Sequence, residues 1–124
     1  MPFPWKDLVD LARYLEQRAT GAPNAEALLR SALNRAYFGA FGHAKNYATL
    51  KHGFQAASLP EDHPKLINHF RQRPKFKGVW ERLHELRLRR NEADYADDSN
   101  LQWTMAAAES VRDAAWIIQA LASS

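Results

Sequence analysis

Apolar residues recur along this chain at intervals of three and four, the spacing of one face of an α-helix, and nowhere in the strict alternation of a half-buried strand. The first periodic stretch predicts a helix from about Pro4 to Ala19. Trp5, Leu8, Leu11, Ala12, Leu15 and Ala19 fall on one face, and Lys6, Asp10, Arg13 and Gln17 lie largely opposite. Thr20-Gly21-Ala22-Pro23 ends it, and Asn24 is placed to cap a second helix running to about Lys51. There Leu28, Leu29, Ala32, Leu33, Ala36, Ala40, Ala44 and Tyr47 make a wide apolar arc, extended by Tyr37, Phe38 and Phe41. An arc that broad marks a central helix, and its alanines allow neighbours to approach closely.

Gly53 and Ser58-Leu59-Pro60-Glu61-Asp62 predict a loop, followed by a short helix from Pro64 to Arg73 that Pro74 stops. A fourth helix is expected from Lys77 or Gly78 to about Ala96. Asp97-Asp98-Ser99-Asn100 then caps a final one reaching Leu121. In that last helix Ala107, Ala108, Val111, Ala114, Ala115, Ile118 and Leu121 form the main stripe. Leu101, Met105 and Trp116 form a smaller group beside it, suited either to a partner subunit or to further core packing. The pattern as a whole predicts an all-α fold: a compact antiparallel bundle of four or five helices in a single domain over residues 1–124.

A chain of 124 residues, 46% hydrophobic and 25% charged, can bury an ordinary core without disulfide or metal staples. It has no cysteine, which excludes thiol catalysis and cysteine-ligated zinc. His43, His52, His63, His69 and His84 are scattered without metal-ligand spacing, so no metal or other cofactor is expected. No apolar run approaches the roughly 18 to 20 residues needed to cross a bilayer, and MPFPWKDLVD lacks a signal-peptide pattern. The expectation is a cytoplasmic protein with no membrane partner.

Charge changes the picture more than composition does. Between Lys65 and Arg90 nine basic residues face two acidic ones, so the rest of the chain is net acidic although the whole carries +3. Phe70, Phe76 and Trp80 interrupt this basic segment. Cations that hold phosphates and rings that stack bases suit a polyanion such as RNA, and Arg73, Lys75, Lys77, Arg87 and Arg89 are the candidate contacts. A merely solvated basic surface would read the same way. One arginine breaks the pattern. At 100° per residue Val79, Leu83, Leu86 and Ala93 define the inward stripe of the fourth helix, and Arg90 falls near its centre. Asp94, one turn on, can pair with it, which is the structural explanation. His84, Asn91 and Tyr95 form a second polar group a quarter turn or more around.

The blocks Arg-Ser-Ala-Leu-Asn-Arg-Ala-Tyr-Phe-Gly-Ala-Phe (Arg30 to Phe41) and Leu-Arg-Leu-Arg-Arg-Asn-Glu-Ala-Asp-Tyr (Leu86 to Tyr95) resemble the small stand-alone members of the HEPN family, the higher eukaryotes and prokaryotes nucleotide-binding domain. The resemblance implies a helical bundle that dimerises. In many members it implies a metal-independent endoribonuclease, often a toxin, with its active site at the dimer interface. The family motif is an arginine, then four to six residues, then a histidine. By position Arg90 is the arginine, Asn91 the polar residue after it, and Tyr95 stands where the histidine would be. A phenol with a reference pKa of about 10 is a poor base near neutrality, so two functions stay open. One is RNA cleavage with Arg90 on the phosphate, Asn91 orienting it, and Tyr95, Asp94 or His84 completing the set. The other is a non-catalytic module that binds a nucleotide, RNA, or a nucleotidyltransferase or antitoxin partner. Asn34, Arg35 and Tyr37 match the first block as supporting residues.

Overall fold

A computed structural model of the protein describes residues 2–122. Five helices follow in order: α1 (Lys6–Arg18), α2 (Ala25–His52), α3 (Asp62–Arg71), α4 (Lys77–Tyr95) and α5 (Trp103–Ala122), with a 3₁₀ turn at Pro74–Phe76 leading directly into α4. There is no strand among the described residues. The all-α bundle expected from the periodicity is the fold observed.

The long helix α2 is the hub, packing against each of the other four. Its inward side carries Leu29, Leu33, Tyr37 and Phe41, separated by Ala32, Ala36, Ala40 and Ala44, all buried. Small residues between large ones let neighbouring helices interdigitate. Leu66 and Phe70 from α3, Leu83 and Leu86 from α4 and Ile117 from α5 complete one shared core, and burying each such side chain contributes about 1.5 to 3 kcal/mol. Against α1 the approach is closer still: a Cβ on Gly42 would sit 2.1 Å from the Trp5 indole. Gly53 ends α2 in the left-handed region at φ 70°, where glycine carries no steric penalty.

Several expectations are corrected in detail. On α1 Val9 is buried along with the expected Ala12, whereas Leu11 is exposed, because the docking seat on α2 receives Trp5 and Val9. The loop before α3 ends earlier than the proline signal implied, and α3 starts at Asp62. The Asp62 carboxylate accepts the backbone N–H groups of Ala57 and Ser58 at 2.9 to 3.1 Å, tying that loop to the helix. Asn24 stands at the N-terminus of α2 without a side-chain cap bond. Asp97 to Asn100 do not directly precede α5, which begins at Trp103. Ser99 instead forms a local turn, accepting the Leu101 N–H at 3.1 Å and donating to Glu92 at 2.6 Å. In α5 Ile117 is fully buried and the expected Ile118 only half-buried against the core, where Leu101 also packs, while Met105 and Trp116 remain exposed.

Candidate functional site

The two sequence blocks that carry the family resemblance meet where α2 crosses α4. From α2, the Asn34 amide donates to both Asp94 oxygens, at 3.0 and 3.3 Å, and Arg35 donates to the Asn34 carbonyl oxygen at 2.8 Å. From α4, Arg90 donates to Asp94 at 3.4 Å, the i to i+4 pair that the spacing predicts. The Arg90 guanidinium carbon also lies 5.1 Å from the ring centres of both Tyr37 and Phe38. Its side chain is only 12% exposed, so the cation needs these partners to offset its desolvation. Next to this junction Arg30 donates to the Ala96 carbonyl at 2.6 Å, satisfying an orphan acceptor at the end of a helix that has no basic residue in its own last turn.

Behind Arg90 lies a cluster that the sequence does not announce. Tyr37 is fully buried, and its hydroxyl is hydrogen-bonded to His63 Nδ1. The imidazole stacks on Phe41 with ring centres 4.2 Å apart, and on Tyr37 at 5.6 Å. Burial pushes the Tyr37 phenol above its ordinary range, against the pull of Arg87 and Arg90. Burial also holds His63 below its ordinary value; Arg87, Arg90 and Lys45 act in the same direction and Asp62 opposes them. The imidazole is therefore neutral near pH 7. Arg87 has no carboxylate within ion-pair distance among the described residues, and the Nε–H groups of Arg87 and Arg90 are buried with no acceptor.

The remaining candidates lie elsewhere. His84, Leu88 and Tyr95 are exposed on the outer side of α4, Tyr95 at 76%, and Asn91 lines a shallow concavity with Leu88, Glu92, Tyr95 and Ala96. Within one chain, Arg90 and Asp94 are thus brought together, while Asn91, Tyr95 and His84 are not gathered around them. In the basic segment Arg89 turns toward α5, pairing with Asp113 at 3.0 Å and Glu109 at 3.5 Å. Lys77 pairs with Glu81 at 3.1 Å, and Arg73 donates to the His69 carbonyl at 2.8 Å. Lys75 sits 5.2 Å from the Phe76 ring centre, Arg71 5.1 Å from Trp80, and Arg82 3.8 Å from Trp116, so cations and rings are interleaved in space as well as in sequence. Among the described residues no group of three or more His, Asp or Glu side chains is arranged to hold a metal ion.

Sequence reasoning missed His63. A buried tyrosine hydroxyl requires a hydrogen-bond partner, and the periodicity of α2 turns Tyr37 inward, so the need was legible. The partner's identity was not, because His63 lies 26 residues away at the start of another helix. What the fold and the site define is an all-helical bundle with a cation-rich aromatic cluster at the junction of α2, α3 and α4. Comparison of the chain with family models, with curated proteins and with solved structures finds no match.

Proposed function

We propose that this protein is a HEPN-like helical module that binds RNA through its phosphates, with no acid–base pair for cleavage within the single chain. One observation carries the proposal: Arg90 is committed to Asp94 and two aromatic rings, whereas Arg87 beside it has no ion-pair partner among the described residues. A cation kept partly buried and unpaired is costly, and an incoming phosphate relieves that cost. The interleaved rings and cations of Arg71, Trp80, Lys75 and Phe76 add stacking surface for unpaired bases. Fluorescence polarisation with labelled single-stranded RNA tests this. Arg87→Ala is expected to weaken binding by about tenfold, the loss of one charge-assisted contact of about 1.5 kcal/mol. Unchanged affinity in that variant, or no binding by the wild type, rejects the proposal.

A second reading, RNA cleavage by a dimer, is favoured by the exposed Leu88 and Tyr95 flanking Asn91 on α4. A second copy on that face would bring two Asn91 and Tyr95 pairs together. Cleavage of labelled RNA by wild type, lost in Asn91→Ala and Tyr95→Phe and accompanied by a dimer in sedimentation, would establish this reading over simple binding.

A further inference from the structure

Three candidates outside the α4 motif bear on function: the His52 and His69 pair, the hollow between the N-terminal segment and the end of α2, and the Tyr37–His63 cluster. The first pairs two imidazoles at 2.8 Å beside Arg73, a setting that repels a metal cation. The second is a hollow lined by Phe3, Trp5, His43, Tyr47 and Leu50, and nothing in it selects an occupant. The cluster says more, because the hydrogen-bond directions inside it fix the chemistry it offers.

His63 Nδ1 is the only partner of the Tyr37 hydroxyl among the described residues. The phenol is deeply buried and remains protonated, so its single hydrogen has to go to Nδ1; pointed anywhere else it would be a buried unsatisfied donor. Nδ1 is then an acceptor, and the proton of the neutral ring sits on Nε2. That nitrogen has no hydrogen bond among the described residues, and His63 is partly exposed. The ring therefore presents an N–H donor outward while carrying no charge. Around it stand Arg87, Arg90 and Lys45, against the carboxylates of Asp62 and Asp94. Asp62 is already occupied by the Ala57 and Ser58 amides, and Asp94 by Asn34 and Arg90. The local balance is cationic, and its donors have unspent capacity.

We propose that Arg87 and the Nε2–H of His63, backed by Arg90, form a receptor for a phosphate group, with Tyr37 as the positioning residue that locks the imidazole in the donor tautomer. The imidazole serves here as a hydrogen-bond donor; with its outer nitrogen protonated it has no lone pair with which to accept a ribose hydroxyl proton. The proposal deepens the RNA-binding reading by naming the group that is held, and it rests on that reading only for the identity of the molecule bearing the phosphate.

The test is an NMR titration of the full chain. Imidazole nitrogen shifts are expected to show His63 neutral at pH 7 with its proton on Nε2, and inorganic phosphate, adenosine monophosphate and a short single-stranded RNA are then added in separate arms. Phosphate is expected to move the His63 Nε2 signal, with apparent affinity about tenfold weaker in Arg87→Ala. His63→Gln, which keeps an N–H donor, should retain most of the binding, and His63→Leu should lose it. Both His63 variants are checked for the wild-type amide spectrum, and Arg87→Ala, which leaves the Tyr37 contact intact, provides the test should either misfold. A proton found on Nδ1, or phosphate binding unaffected in Arg87→Ala, overturns the receptor. If inorganic phosphate and the mononucleotide bind in this manner while RNA does not, the receptor stands and the RNA reading falls. If RNA binding is weakened in Arg87→Ala but unchanged in His63→Leu, the receptor falls and the RNA reading stands; RNA binding unchanged in Arg87→Ala rejects both.

Discussion

Asp94 joins two helices through three hydrogen bonds, from Asn34 at 3.0 and 3.3 Å and from Arg90 at 3.4 Å, with its side chain 24% exposed. Replacing it by asparagine removes the charge that offsets Arg90 while keeping the shape. Partial exposure lowers the penalty below that of a fully buried pair, so Asp94→Asn is expected to destabilise by about 1 to 3 kcal/mol, read as a shift of the urea unfolding midpoint. An unmoved midpoint would mean that the rings alone accommodate Arg90. A second residue-scale prediction concerns pH. His69 is pulled down to about 4, first by burial, then by Arg73 and by His52; His52 is itself held below its ordinary value by burial, Arg73 and Lys75. Both rings bind protons less readily when folded than when unfolded. Their contribution is therefore intact above about pH 6.5 and declines as pH falls from there toward about 4, where the unfolded chain takes up the extra protons. Urea midpoints measured between pH 4 and 8 should show this acid limb, and His69→Gln should flatten it. The Arg90 to Asp94 pair was legible from spacing alone, because both partners lie on one helix. The Tyr37 to His63 and His52 to His69 pairs were not, because each joins different helices.

At the scale of elements, the bundle depends on how closely α1 lies on α2. The Trp5 indole occupies the space that a side chain at Gly42 would need, and Val9 Cγ2 lies 2.7 Å from a Cβ built on Gly39. Gly42→Ala should displace the indole and destabilise by about 1 to 3 kcal/mol, visible as a lower melting temperature and a changed tryptophan emission spectrum. Wild-type stability and emission would show that α1 slides without loss. This seat also explains why Leu11 falls outside the buried face of α1, although Ala12 and Ala19 of the expected stripe are buried. Val9 and Leu11 are both apolar, and a wheel drawn for α1 alone cannot choose between them; the glycines of α2 make the choice. The same holds for α5, where Ile117 and Ile118 are adjacent and only packing against α2 turns Ile117 inward. Helix ends were harder than helix existence. The turn around Ser99 satisfies local backbone groups without nucleating α5, and the residues following it remain non-helical up to Trp103.

For the whole molecule, the basic segment carries less outward charge than its sequence suggests. Arg89 is neutralised by Glu109 and Asp113 of α5, Arg82 shares Asp113 at 3.7 Å, and Lys77 is paired with Glu81. RNA binding should then involve few phosphates, on the order of four, and affinity for single-stranded RNA should fall roughly 50-fold between about 50 and 200 mM salt. A salt-independent affinity would exclude phosphate-dominated binding. Among the described residues no helix is long and apolar enough to cross a membrane, so the exposed aromatic groups do not belong to a span.

The sequence by itself determined that the chain is helical, that α2 is central, and that Arg90 and Asp94 face one another, because these follow from periodicity and from contacts within three or four residues. The tertiary structure decided which apolar residues enter the core of α1 and α5, that Arg89 pairs with Glu109 and Asp113 of α5, and that His63 meets Tyr37. Those outcomes depend on the relative placement of helices distant in sequence. That placement is set by side-chain volumes and by the cost of leaving buried polar groups such as the Tyr37 hydroxyl without a partner, which is a property of the assembled bundle and of no single segment.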